Sequence, residues 1–242
     1  MSAADKHSGS PKCWLPLEAD PSLLTEYIQL LGGPAVRCVD VLSTDEWALQ
    51  LIPRPVHALL LAFPTDGSRQ DTPAAAATED NGDQKVWFSR QTIGGACGTM
   101  AVLHAMANLT HRLSVANGGF LERFLAHTAN LSPQQRAEAI EKSAELARLH
   151  TSVEERGQST LPERGQRVGT HYAAFVAVGG TLYELDGRKS GPVDHGETNE
   201  EGFLRDCVAV ARGLMARRPD EMRFAMIAVV PADQCAQPDS KE

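Results

Sequence analysis

The chain has 242 residues, 42% of them hydrophobic, which is enough to bury a large core in one domain without disulfide or metal support. Its 23 Lys and Arg stand against 31 Asp and Glu for a formal charge of -8, and no basic run exceeds a pair. A general nucleic-acid binder is thereby excluded, and a protein partner with a basic surface is the better match.

Residues 1–13 are polar and read as a flexible leader without the apolar core of a signal peptide. No later stretch approaches the roughly 20 apolar residues that span a bilayer, so the reading is intracellular, with no membrane partner. Five cysteines without paired spacing then read as free thiols. From Pro21, the spacing of Leu23, Leu24, Tyr27, Ile28 and Leu31 predicts a helix that stops at Gly32-Gly33-Pro34. Strand-type runs follow at 36–42 and 57–63, with a short helix from Thr44 between them. Residues 65–83, rich in Asp, Gly, Thr and Ala, read as an exposed loop, and 85–88 as strand-like. A helix apolar on nearly every face follows Cys97 and belongs in the interior. Ser132, Pro133 and Gln135 announce a capped helix running to about His150, and the polar stretch 151–170 reads as a long functional loop. Residues 171–178 and 181–185 form a hairpin about Gly179-Gly180, 200–216 is helical, and 224–230 is a buried strand. Residues 232–242 read as a flexible tail. The class is α/β or α+β, a single domain over 14–231 with a central sheet.

Cys97 carries the first chemical signal. It follows Gly94-Gly95-Ala96, precedes Gly98 and heads the interior helix. A helix N-terminus stabilises thiolate over thiol and offers unpaired amides to an anion. Taken alone, the position suits a small buried apolar cysteine equally well. The hairpin supplies the second signal. A two-residue turn pairs Val178 with Thr181, hence Ala173 with Asp186, and side-chain alternation puts His171 and Asp186 on one face as diagonal neighbours. A carboxylate there orients one imidazole nitrogen and leaves the other for a thiol. A hairpin-end His and a turn Asp account for the same residues, and nothing in the spacing brings this hairpin to Cys97.

Gln91 to Thr99, together with His171-Tyr172, Leu182-Tyr183-Glu184-Leu185-Asp186-Gly187-Arg188-Lys189 and His195-Gly196, resembles the signatures of the ubiquitin carboxyl-terminal hydrolases. The likeness continues through Trp14-Leu15-Pro16-Leu17-Glu18-Ala19, Pro53-Arg54-Pro55-Val56, Ser132-Pro133 and Pro219 to Phe224, so it covers about 14–230. Its length matches the short isozyme L type. The resemblance implies a papain-like α/β fold with a mostly antiparallel sheet and a knotted chain. It implies a cysteine peptidase that cuts after the terminal glycine of ubiquitin. Cys97 is then the nucleophile, His171 the base, Asp186 the orienting acid and Gln91 the oxyanion donor.

The same resemblance makes 151–170 a crossover loop that restricts substrates to small or unfolded adducts. It places ubiquitin contacts at Pro16, Leu17, Glu18, Ala19, Asp20, Pro21, Glu154, Glu155, Gly157, Gln158, Glu221, Met222, Arg223 and Phe224. Family members usually carry Asn where Asp20 stands, and a polar residue where Gly95 stands. Expected partners are ubiquitin and, as an alternative, NEDD8. The expected state is a cytoplasmic monomer, with the nucleus also open to it. No Cys/His spacing matches a zinc site, so no metal or other cofactor is expected, and the remaining histidines read as core or surface residues. Two other readings of the same residues are a ubiquitin-sequestering module and a thiol redox sensor built on Cys97.

Overall fold

A strand that is apolar at every position must be covered on both faces, and the run Ala58-Leu59-Leu60-Leu61-Ala62 sets the architecture accordingly. The structure, a computed structural model, describes residues 12–65, 86–154, 156–157 and 169–232. Its elements are α1 (Pro21–Leu30), β1 (Val36–Asp40), α2 (Glu46–Leu49), β2 (Ala58–Pro64), α3 (Cys97–Ala107), α4 (Phe120–Thr128), α5 (Pro133–Lys142), α6 (Ala144–Glu154), β3 (Thr170–Val178), β4 (Thr181–Leu185), β5 (Val193–Glu197), α7 (Phe203–Ala216) and β6 (Ala225–Pro231). The strands form one six-stranded sheet in the order β1-β6-β2-β3-β4-β5. Every pairing is antiparallel.

Strand alternation divides the core in two. Ala58, Leu60 and Ala62 of β2, Ala174 and Val176 of β3, and Ile227 and Val229 of β6 pack with α1, α3 and α6. Leu59 and Leu61, Phe175, Ala228 and Val230 pack with Phe203, Leu204, Cys207 and Val208 of α7. All eleven residues of α3 are buried, as its lack of a polar face requires. At about 1.5–3 kcal/mol for each large side chain buried, the contact of α3 with the sheet is a principal source of stability.

Local chemistry fixes the ends of the elements. Asp20 caps α1 by accepting from the Leu23 amide at 2.7 Å, with Pro21 in the first turn. Asn and Asp serve this role equally, which accounts for Asp20 where family members carry Asn. Ser132 and Gln135 close a reciprocal capping box on α5, as their spacing predicts.

The single helix expected from Pro133 to His150 is two. Ser143 takes extended backbone (ψ 100) and its hydroxyl accepts from the Leu146 amide at 3.1 Å, so it ends α5 and starts α6. Helix α6 then runs to Glu154, which removes the first four residues from the expected 151–170 loop. Residues 155 and 158–168 lie outside the described residues, as do most of the expected leader (1–11), the 66–85 segment and the tail (233–242). Residues 86–88 join no strand. Instead the Asn108 side chain pairs with both the amide and the carbonyl of Trp87 at 2.8 Å, a side chain standing in for a neighbouring strand. Helix α4 carries His127 and buries Phe120, Leu121 and Phe124.

Candidate active site

Cys97 heads α3, and its predecessor Ala96 offers no side-chain cap. The first amides of the helix are therefore open to an anion. Gly95 turns the chain into the helix with a φ of 73. A methyl group there would also collide with the Trp14 carbonyl oxygen. The left-handed backbone and the crossing segment thus both favour glycine here. That segment is held from the other side, where the Trp14 amide donates to the Gly94 carbonyl at 2.8 Å.

The hairpin register is the one its turn dictates, with Val178 opposite Thr181 and Ala174 opposite Leu185. Gly179 and Gly180 supply the positive φ values the turn needs. His171 and Asp186 lie at the end of the hairpin away from that turn, and His171 Nε2 sits 2.6 Å from Asp186 Oδ1. Both side chains are buried, at 4% and 8% exposure. The Arg188 amide donates to the same carboxylate oxygen at 2.8 Å and fixes its orientation. The Phe63 ring meets the imidazole edge-on, with centroids 5.6 Å apart. With Nε2 committed to Asp186, Nδ1 is left for the thiol.

Cys97 belongs to the core on one face of the sheet, while alternation puts His171 and Asp186 on the other. Thiol and imidazole therefore meet around the end of the sheet. Burial pushes the Cys97 thiol up, but a hydrogen bond with His171, its charge, and the amides of Tyr172 and Gly98 outweigh burial and hold it below its ordinary value. Burial also opposes charge on His171, yet Asp186 and Cys97 together push the imidazole up to about 9. Asp186 is raised by burial and lowered further by His171 and the Arg188 amide, with a net fall. The three groups thus favour a thiolate, an imidazolium and a carboxylate.

Gln91 is anchored to the turn after Asp186: its amide donates to the Gly187 carbonyl at 2.8 Å. A methyl on Gly187 would lie 2.9 Å from Gln91 Cβ, so glycine lets the two segments touch. Gln91 Nε2 donates to the Ile93 carbonyl at 3.0 Å, which leaves its second hydrogen for another acceptor. Because an oxyanion donor is typically worth about 10²–10³ in turnover, Gln91→Ala should lower kcat by that factor with KM nearly unchanged. Wild-type turnover in this variant would remove Gln91 from the site.

The expected partner contacts fall in different surroundings. Leu17 is 3% exposed and packs on Gly98, while Asp20 and Pro21 begin α1. Pro16, Glu18 and Ala19 complete the segment, and a side chain on Gly157 would collide with Glu18. Glu221 pairs with Arg223, Met222 is 87% exposed, and Phe224 lines a cavity of about 300 Å³ with Phe63, Asp186 and Arg188. Glu154 departs from the expectation of a surface contact: it is 2% exposed, 3.2 Å from His150 and 3.3 Å from the Leu15 amide. An apolar face on α6 carried it inward. Glu155 and Gln158 lie outside the described residues. Sequence reasoning missed the amides of Tyr172 and Arg188, which have no residue-type signal, whereas the Gly98 amide is one of the helix N-terminal donors expected at Cys97.

The family model for ubiquitin carboxyl-terminal hydrolase, family 1, matches residues 14–216. The chain belongs to this family. Among relatives of this hydrolase, the Drosophila melanogaster ubiquitin carboxyl-terminal hydrolase is 38% identical over 227 residues, covering 91% of this chain and 99% of that one. The human ubiquitin carboxyl-terminal hydrolase isozyme L1 is 36% identical over 221 residues, covering 90% and 98%. In structure the hydrolase is similar to the Trichinella spiralis UCH37 catalytic domain bound to ubiquitin vinyl methyl ester, with a TM-score of 0.75, 24% identity, and coverage of 91% of this chain and 96% of that one. It is a cysteine-type ubiquitin hydrolase. Among the described residues, no helix is long and apolar enough to cross a membrane.

Proposed function

We propose that this hydrolase cleaves small or unfolded adducts from the terminal glycine of ubiquitin, with Cys97, His171 and Asp186 as its catalytic triad. The observation that carries this reading is the buried pair of His171 and Asp186 at 2.6 Å beside a thiol held below its ordinary value. The Cys97 thiolate attacks the glycine carbonyl carbon, and the resulting oxyanion accepts from Gln91 Nε2 and the Cys97 amide. The tetrahedral adduct collapses to a thioester as the C–N bond breaks, and His171 gives its proton to the departing amine. His171 then takes a proton from water, whose oxygen attacks the thioester. The carboxylate leaves, and the thiolate and imidazolium are restored.

Cys97 is 7% exposed, and Gly98 abuts Leu17. A substrate chain must therefore reach the sulfur as a thin strand, which a terminal glycine without a side chain satisfies. Gly157, just past α6, lies beside Glu18, and in this reading 14–231 act as one catalytic unit in the cytoplasm. The acidic chain, at -8, suits the basic tail of ubiquitin, chiefly through the rate of encounter.

The test compares release of a fluorogenic amine from ubiquitin and from NEDD8, alongside cleavage of folded di-ubiquitin. Fast turnover of the ubiquitin amide with little cleavage of di-ubiquitin is expected. Faster turnover of the NEDD8 amide would reassign the modifier, and efficient di-ubiquitin cleavage would overturn the thin-leaving-group reading.

A further inference from the structure

One buried polar chain outside the triad converges on the helix that carries the nucleophile. Tyr27 Oη lies 3.0 Å from Thr99 Oγ1, which lies 2.8 Å from His150 Nδ1. The other imidazole nitrogen, Nε2, lies 2.8 Å from the Leu15 carbonyl oxygen. Tyr27, Thr99 and His150 are each 0% exposed. The Leu15 carbonyl only accepts, so His150 Nε2 donates to it. Glu154 Oε2 lies 3.2 Å from the same nitrogen, so Nε2 is held between a carbonyl and a carboxylate while Nδ1 faces the Thr99 hydroxyl. Each member of the chain restrains its neighbours.

Its ends matter for the site. Thr99 stands in the first turn of α3, two residues beyond Cys97. His150 stacks on Trp14 with ring centroids 4.4 Å apart, and Trp14 is the residue whose amide holds Gly94 and whose carbonyl confines Gly95. Glu154, one turn beyond His150, receives the Leu15 amide at 3.3 Å, so α6 grips both polar groups of the Leu15 backbone. Helix α6 therefore reaches the nucleophile turn by two routes, through Thr99 inside α3 and through Trp14 and Leu15 ahead of it.

We propose that Thr99 and His150 are positioning residues for Cys97: their hydrogen bond sets the placement of the first turn of α3, and with it the aim of the sulfur at His171 and at the scissile carbonyl. The proposal rests on Cys97 as the nucleophile. It uses groups that touch neither substrate nor thiol, yet their loss reaches the reaction because a small misplacement of a reacting atom costs rate out of proportion to its size. The arrangement also ties the nucleophile to the end of α6, whose last residue is Glu154.

The decisive variant is Thr99→Val, which keeps the volume and removes the hydroxyl, with Thr99→Ser as the variant that restores it. Each is assayed on a ubiquitin C-terminal fluorogenic amide, with rates normalised to sites titrated by ubiquitin vinyl methyl ester so that unfolded protein does not count. Thr99→Val should lower kcat by about tenfold, leave KM unchanged and move the acid limb of the pH profile to higher pH, and Thr99→Ser should recover most of the rate. A wild-type kcat per titrated site and an unmoved acid limb in Thr99→Val would overturn the proposal, even with a lowered melting temperature. Cys97→Ala, measured beside them, separates this from the triad assignment: activity surviving there removes the nucleophile itself, whereas an inactive Cys97→Ala with an unaffected Thr99→Val removes only the positioning role.

Discussion

Cys97→Ala should reduce release of a fluorogenic amine from the C-terminus of ubiquitin to the uncatalysed level while ubiquitin binding is retained. The substitution removes the atom that would form the thioester. Cys38 is buried and its thiol is pushed up to about 12, and burial raises Cys207 well above its ordinary value. Neither supplies a thiolate near neutral pH. Alanine fits the space without adding volume, so the helix should stay in place. Turnover and binding are measured on the same preparation, the second by calorimetry with free ubiquitin. Residual fast turnover would move the chemistry away from Cys97. Tight binding by a wild type that scarcely turns over would support the sequestering module in place of the enzyme.

Asp186→Asn should lower kcat by at least about 10²-fold, near the lower end of what a positioned acid–base group contributes, with little change in ubiquitin affinity. Asparagine keeps an oxygen for the Arg188 amide and for His171 Nε2, so the geometry can persist while the charge is lost. The sign of the pH effect follows. The thiolate–imidazolium pair lasts from the lowered value of Cys97 up to the His171 value of about 9. Removing the carboxylate lowers His171 and weakens the cation that holds Cys97 down. The alkaline limb of kcat/KM should move to lower pH and the acid limb to higher pH, narrowing the profile from both sides. Unchanged limbs would show that Asp186 does not act on His171. Equal losses of rate and affinity would point to a misfolded protein.

The parts of the site that were legible in the sequence are those set by local rules. Gly179-Gly180 fixes the hairpin register by turn geometry alone, and the register fixes the shared face of His171 and Asp186. Gly95 announces a tight turn, and a Cβ there would meet the Trp14 carbonyl oxygen. What could not be read depends on contacts distant in the chain. Nothing in 85–88 reveals that Asn108 would take the place of a pairing strand. Helix propensity runs through Ser143 without interruption, and only the serine's preference for capping over continuing divides α5 from α6. Glu154 has the composition of a surface residue, and its burial becomes visible only when Leu15 and His150 are in place. The approach of Cys97 to His171 is of the same kind: the resemblance implied it, whereas helix and strand patterns did not.

The hairpin brings His171 and Asp186 together from positions 15 residues apart, whereas the thiol arrives on a helix from another part of the sequence. Half of the charge arrangement is therefore encoded within one local motif, and the sulfur acquires its reactivity only when α3 docks on the sheet. An unfolded chain offers cysteines of ordinary, similar nucleophilicity. Folding spreads them apart, silencing Cys38 and Cys207 and sharpening Cys97. Differential alkylation of these sulfurs thus reports tertiary assembly directly, a built-in chemical readout of whether a given molecule has completed its fold.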